Sequence, residues 1–190
     1  MVSILVLYGT GEGQTAKVAE TIAEALEERG HESTVTDVAA ESGSVDVDEF
    51  DAVLVGASIH VGKQQAAIRT FVTERRDALE SRPTGFFQVS LSSATDDEAR
   101  RAEAAGYVDA FVEETGWQPD RVGLFGGALR YSKYGFLKRL VMKRIAREAT
   151  GDTDTARDYE YTDWEEVETF ANDFAAFVEG RLGVAPPSSE

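Results

Sequence analysis

Tyr8-Gly9-Thr10-Gly11-Glu12-Gly13-Gln14-Thr15 follows the apolar run Ile4-Leu5-Val6-Leu7 and opens directly into a helical pattern from Ala16 to Arg29. A strand, a loop of glycines and hydroxyls, and a helix N-terminus in that order make an anion cradle. The glycines let the backbone approach a ligand closely. Unpaired N–H groups and the helix dipole favour a phosphate. Thr10 and Thr15 add hydroxyl donors. The loop lacks the Gly-Lys-Ser/Thr ending of a nucleoside-triphosphate loop, which argues against ATP or GTP. A dinucleotide fingerprint is a closer rival. Gly11, Gly13 and Ala16 fit its relaxed spacing, and Asp37 lies where a ribose-binding acid would sit. A glycine-rich turn with no ligand is the plainest alternative.

Outward from this stretch, short apolar runs alternate with amphipathic stretches, the pattern of a parallel sheet with helices on both faces. The first helix places Val18, Ile22, Ala25 and Leu26 on one face and ends at Gly30. Strands are expected at Ser33–Val38, Ala52–Gly56, Gly85–Leu91 and Val122–Leu129. Helices are expected near Gln64–Leu79 (Ile68, Phe71 and Val72 inward) and from Asp96 to Glu114 (Ala102, Val108, Phe111 and Val112 inward). A last helix starts at Thr162 or Asp163 with Glu165 and Glu166 in its first turn. Val167, Phe170, Phe174, Phe177 and Val178 form its apolar stripe. The tail from Pro186 to Glu190 is expected to fray. The whole reads as one α/β domain over 1–190, a three-layer sandwich on a five-stranded parallel sheet in the order 2-1-3-4-5. Ligands of such sheets bind beyond the carboxyl ends of the strands, at the switch point. The loops Thr10–Thr15, Ser58-Ile59-His60-Val61-Gly62 and Ser92-Ser93-Ala94-Thr95 all fall there.

The chain has 35 acidic and 19 basic residues, a net charge of −16. The acids are spread over helix faces, as at Glu20, Glu24, Glu27 and Glu28. Such a surface disfavours nucleic acid. It reads as adaptation to a salty cytoplasm, set against an ordinary acidic cytosolic protein. There is no cysteine, which excludes disulfides, thiolate ligands and cysteine catalysis. Two histidines make a multi-histidine metal site a poor fit, so no metal is expected. No apolar run approaches the roughly 20 residues that span a bilayer. The N-terminus enters a strand at once, so no signal peptide is expected and the protein is placed in the cytoplasm.

One connection departs from the pattern. Between Leu129 and Thr162 the chain takes 32 residues, where roughly 2–6 are usual. Over 130–162 it is read as a helical insertion. Residues 130–147 carry seven cations, Arg130, Lys133, Lys138, Arg139, Lys143, Arg144 and Arg147, and no acid. The other 172 residues hold 12 basic and 35 acidic groups, a net of −23. At helical spacing Phe136, Leu137, Leu140, Val141 and Ile145 share a face. This is a basic amphipathic helix, suited to a membrane surface or an anionic ligand. The alternative is a surface helix whose cations pair with the acidic body.

The Thr-x-x-Gly-x-Thr run from Thr10 to Thr15 resembles the FMN-phosphate loop of flavodoxins. The later segments are more specific. Trp117-x-Pro119-Asp120-Arg121, Gly127-Ala128-Leu129-Arg130-Tyr131, Gly151-Asp152-Thr153-Asp154-Thr155 and Tyr161-Thr162-Asp163-Trp164-Glu165 are similar to the quinone-dependent protoporphyrinogen IX dehydrogenases of flavodoxin type. Gly56-Ala57-Ser58-Ile59 matches the same family, and the likeness runs from about Ser3 to Val178. That family often carries Arg-Tyr where this chain has His60-Val61. The resemblance implies a flavodoxin-like FMN enzyme that oxidises protoporphyrinogen IX in haem synthesis and passes electrons to a quinone. It would stand at the inner face of the cell membrane if the basic helix makes peripheral contact there. A long-chain flavodoxin that carries electrons between redox proteins is the rival.

On that reading Thr10, Gly11, Glu12, Gly13, Gln14 and Thr15 form the phosphate loop, with the Glu12 carboxylate expected to point to solvent. Ser58, Ile59, His60, Val61 and Gly62 would line one edge of the isoalloxazine. Leu91, Ser92, Ser93 and Ala94 would line the other, chiefly through backbone groups. The redox chemistry belongs to the flavin, so no acid–base triad is expected. His60 is the one titrating candidate for a proton shuttle, weighed against a loop histidine without a role. Arg130, Tyr131, Lys133 and Tyr134, with Lys138, Arg139 and Lys143, are assigned to the substrate or membrane side. Against this, Arg130 could simply pair with Asp152–Asp154. His31 reads as a helix-end residue, and Trp117 and Trp164 as packing residues.

The dispersed acid carries its own test. If it is a high-salt adaptation, self-repulsion limits stability in dilute buffer. The melting temperature should rise markedly between dilute buffer and molar potassium chloride; a flat or falling curve favours the ordinary acidic protein.

Overall fold

The computed structural model describes residues 1–41 and 45–185; the tail expected to fray, 186–190, lies outside them. The strands are β1 (Ser3–Gly9), β2 (Glu32–Asp37), β3 (Ala52–His60), β4 (Lys63–Gln64), β5 (Thr84–Ser90), β6 (Arg121–Gly126), β7 (Ala128–Leu129) and β8 (Tyr159–Glu160). The helices are α1 (Gln14–Glu28), α2 (Val38–Glu41), α3 (Ala66–Glu74), α4 (Arg76–Glu80), α5 (Glu98–Thr115), α6 (Phe136–Ala149) and α7 (Trp164–Leu182). The parallel strands run in the order β2-β1-β3-β5-β6, the doubly wound order expected. The switch point lies between β1 and β3, where Leu5 pairs with Val53 and Tyr8 with Gly56.

The central strands read as unbroken apolar runs because both faces of the sheet are covered. Ile4, Val6, Leu54, Phe87 and Phe125 pack under α1 and α7 against Val18, Ile22, Val167 and Phe174. Leu5, Leu7, Val53, Val55 and Phe86 pack on the other side against Ile68, Phe71, Val108 and Phe111. Phe86 stacks on Phe111 with centroids 4.8 Å apart, and Trp117 meets both rings edge-on. Trp117 is thus core, and Trp164 packs partly buried against the first layer. The Asp163 carboxylate accepts from the amides of Glu165 and Glu166 and caps α7.

Four details depart from the sequence pattern. The helix expected over 64–79 is two helices, α3 and α4, broken at Arg75. The Thr73 hydroxyl donates back to the Arg69 carbonyl at 2.8 Å, a bond that competes with the helical ladder. Beyond the break Leu79 turns into the core. In α5 the inward residue is Ala104, four before Val108, while Ala102 is exposed. The fifth parallel strand stops at Gly126 rather than Leu129. There Gly127 donates to the Ser90 carbonyl, and its own carbonyl accepts from Tyr161. Ala128 and Leu129 then pair antiparallel with Glu160 and Tyr159, so the long excursion is closed at its base. Finally, β4 folds back on the end of β3 with His60 opposite Lys63.

His31 does more than end a helix. Its ring is fully buried and lies 3.0 Å from Glu179 Oε1 on α7. Arg29 grips the same carboxylate with two 2.8 Å bonds. These bonds, Arg29 foremost, hold the Glu179 carboxyl below the ordinary carboxylate range. A depressed folded pKa stabilises the fold above the unfolded value of about 4.3, and that stability is lost as pH falls through the folded pKa. Glu179→Ala should cost roughly 2–4 kcal/mol at neutral pH in urea unfolding, discounted for the part-exposed Arg29. The stability of Glu179→Gln should fall less between pH 5 and acid than that of the parent, roughly over the window set by that reference value.

Candidate functional site

The cradle forms where β1 ends. Thr10 Oγ1 accepts from the Gly13 amide at 2.9 Å and closes the loop. Gly13 sits at φ +94°, a left-handed conformation that glycine takes without strain. It precedes α1 without a side-chain cap, and no acid occupies the first turn of that helix. The first amides of α1 therefore keep their donor capacity for an anion. Thr15 is buried, and its Oγ1 has no hydrogen-bond partner among the described residues. An orphaned buried hydroxyl beside open amides fits the terminal phosphate of a ligand.

A cavity of about 550 Å³ opens from this loop, within the roughly 300–1,000 Å³ common for small-molecule sites. Thr10, Glu12, Gln14 and Thr15 line one end, and Ser58 to Gly62, Leu91 and Ser92 line its sides. Of the remaining loop residues assigned from the sequence, Gly11, Gly13, Ser93 and Ala94 do not line it. Ser93 instead has its hydroxyl 2.9 Å from that of Ser90. Gly11 acts indirectly: any Cβ there would fall 2.3 Å from His60 Nε2, so its lack of a side chain lets the His60 ring lie over the loop. Val61 and Gly62 form a tight hairpin turn, both at positive φ. Val61 is fully exposed at φ 51°, a strained setting for a β-branched residue.

Neutral hydrogen bonds position this hairpin. Gln65 accepts from the Ser58 amide at 3.1 Å and donates to the Ser58 hydroxyl. Gln64 is buried and donates to Gln88 Oε1 and the Tyr107 carbonyl. Gln88, fully buried, donates in turn to the Ala104 carbonyl.

The excursion is fastened to the phosphate loop. Glu12 does not point to solvent. Its carboxylate accepts from Tyr134 Oη at 2.6 Å and Lys138 Nζ at 2.8 Å, so the negative charge is neutralised beside the cradle. Burial, then the bond to Glu12, pushes the Tyr134 phenol well above its ordinary range. Arg130 donates to Gln14 Oε1 and Glu160 rather than to Asp152–Asp154. Gln14 donates to Thr162 Oγ1, which donates to the Gly126 carbonyl. Tyr131 is fully buried in a small core with Leu129, Tyr134 and Ala146. Lys133 reaches the Glu12 carbonyl and Arg139 the Tyr131 carbonyl. Of the seven residues assigned to the substrate or membrane side, only Lys138 lines the cavity. The others build the excursion or stand at its surface.

Residues not singled out from the sequence complete the walls. Val141, Met142, Ile145 and Ala149 of α6 add apolar surface, and Gly127 and Ala128 add backbone. Arg100, Glu103 and Tyr107 of α5 add a polar rim. Ser92 Oγ and Tyr107 Oη donate to Glu103 at 2.8 and 2.9 Å, and Arg100 lies 3.3 Å away. The Ser92 bond first, then Tyr107 and Arg100, holds the Glu103 carboxyl low. The spacing i, i+3, i+7 on one face of α5 was the available signal.

A phosphate cradle at the switch point of a doubly wound sheet, with two further loops beside it, defines a flavodoxin-like flavoprotein. The family description "Flavodoxin domain" matches residues 5–156. The protoporphyrinogen IX dehydrogenase [quinone] of Escherichia coli K12 is 35% identical over 171 residues, 90% of this chain and 93% of that protein. The Leishmania major protein of the same name is 35% identical over 173 residues, covering 90% of this chain and 74% of its own length. Among solved structures, a short-chain flavodoxin associated with a bacterial microcompartment superposes with a TM-score of 0.57 at 16% identity, covering 97% of this chain and all of its own. The chain belongs to the flavodoxin-domain family, alongside these protoporphyrinogen IX dehydrogenase relatives.

Thr15→Val tests the cradle. Removing a buried hydroxyl that has no partner should leave the cofactor-free protein as stable as before or more so. Binding of a flavin phosphate should weaken by about 1–3 kcal/mol, while riboflavin binding stays unchanged in fluorescence titration.

Proposed function

We propose that the protein is an FMN-dependent oxidoreductase that dehydrogenates protoporphyrinogen IX and delivers the electrons to a quinone. The carrying observation is the excursion: it supplies a wall of the cavity through α6 and is tied to the phosphate loop through Glu12 and Gln14. An element built into the cavity suits a small-molecule substrate better than docking between redox proteins. The names of the relatives supply the substrate and the acceptor.

Each part of the chain has a task on this reading. The open amides of α1 and the Thr15 hydroxyl hold the FMN phosphate without a cationic side chain. The Ser58–Gly62 hairpin and the Leu91–Ser92 turn flank the ring. Bound FMN supplies the electron-pair acceptor for the substrate and the donor for the quinone. Val141, Met142 and Ile145 give the cavity an apolar wall suited to a flat macrocycle. Arg100 and Lys138 line the cavity already paired with Glu103 and Glu12, so carboxylates of a porphyrinogen would have to share those cations. His60 lines the cavity and lies against Gly11.

Anaerobic mixing of FMN-loaded protein with protoporphyrinogen IX is the direct test. Flavin bleaching and porphyrin fluorescence should rise together, and added quinone should restore the oxidised flavin spectrum. A flavin that stays oxidised with porphyrinogen, yet exchanges electrons with partner redox proteins, identifies a carrier instead.

A further inference from the structure

The phosphate loop from Thr10 to Gln14 carries one charged side chain, the carboxylate of Glu12, on a chain with a net charge of −16. Both repel a phosphomonoester dianion. Three cations of the excursion stand against this. Lys138 pairs with the Glu12 carboxylate, and Arg130 shares Glu160 with Lys17. Lys133 differs from both. Its Nζ donates to the main-chain carbonyl of Glu12 at 3.3 Å and enters none of the ion pairs found among the described residues. Asp158 accepts instead from the amide and hydroxyl of Ser132. The Lys133 ammonium stands over Gly13, where a Cβ would lie 4.0 Å from it. Lys133 is exposed, so packing does not hold it there.

We infer that Lys133 is a positioning residue for the FMN phosphate, acting from behind the loop through the Glu12–Gly13 peptide and Thr10. The Glu12 carbonyl and the Gly13 amide belong to one peptide unit. That amide donates to Thr10 Oγ1 at 2.9 Å. With its oxygen accepting, the Thr10 hydroxyl has its proton left for the cavity that Thr10 lines. Hydrogen bonds in series polarise one another, so a cation at the carbonyl end strengthens the donor at the other end. The ammonium also places a positive charge beside a loop whose own carboxylate is already neutralised by Lys138. None of this needs a cationic side chain in contact with the phosphate. The inserted segment then belongs to the cofactor site as well as to the cavity wall, and it favours a phosphorylated flavin over riboflavin. The inference rests on the FMN part of the proposed function and not on the porphyrinogen or the quinone.

The test is fluorescence titration of the full chain with FMN and with riboflavin, in about 0.1 M and in molar potassium chloride. Lys133→Gln keeps a donor for the Glu12 carbonyl and removes the charge. In the dilute salt it should weaken FMN binding on the order of tenfold and leave riboflavin binding unchanged. In molar salt, with a screening length of about 3 Å, its difference from the parent should shrink to roughly twofold or less. Lys133→Arg should keep FMN affinity within about threefold of the parent, because the charge stays in place. Arg144→Gln, which removes an equal charge from the exposed side of α6, should bind both flavins as the parent does. Unchanged FMN affinity of Lys133→Gln in the dilute salt overturns the inference. An equal loss of FMN and riboflavin does so too, because Lys133 would then only brace the loop. So does the same FMN loss in Arg144→Gln, which would report the charge of the whole molecule. Parent protein that binds the two flavins equally removes the phosphate assignment and this inference together. Failure to oxidise protoporphyrinogen IX, with the flavin titrations as expected, removes the proposed substrate and leaves Lys133 in its role.

Discussion

The first turn of α1 has amides without side-chain caps, at the carboxyl end of a strand buried on both faces. A buried helix end in that state needs a partner from outside the helix. The surrounding chain is arranged to keep the place open for an anion. The Thr10 hydroxyl accepts from the Gly13 amide, the buried Thr15 hydroxyl has no partner among the described residues, and the loop's own carboxylate, Glu12, is turned to Tyr134 and Lys138. The fold places this opening at the switch point, where neighbouring loops diverge and leave room for a ring.

The same loop is the attachment point for the excursion. Gln14 lies within the cradle, yet its amide joins Thr162 and Arg130, residues at the two ends of the inserted segment. The cradle and the insertion thus share Gln14 as a common residue. The insertion also brings the basic character of the molecule to one side. Some of its cations are consumed in holding it down, as Lys138 and Arg130 are. Lys133 and Arg139 bond backbone carbonyls of the loop and the excursion, whereas Arg144 and Arg147 stay exposed on α6.

How much of this was legible in the sequence follows from the range of each interaction. The strand–loop–helix unit and the strand order could be read because burial on both faces writes apolar runs, and helices between them write a longer period. The inward set of α7 and its Asp163 cap were legible for the same local reason. The break at Arg75 was not, because the bond from Thr73 to Arg69 leaves the apolar spacing unchanged. The end of β6 at Gly126 depends on backbone bonds to Ser90 and Tyr161, which carry no side-chain signature. The direction of Glu12 is decided by Tyr134, 122 residues further on. Tyr131 reads as a candidate ligand beside two cations until the small core it fills is seen.

The hairpin that carries His60 and Val61 is pinned through Gln64, Gln88 and Gln65, none of which bears a charge. Dissolved ions weaken attraction between charges but leave dipolar bonds in a dry interior almost untouched. On a chain with 35 acidic residues that choice has a consequence. The charged outer surface responds as the medium changes, while the hairpin at the cavity keeps its spacing. Geometry at the centre is thereby insulated from the ionic composition outside.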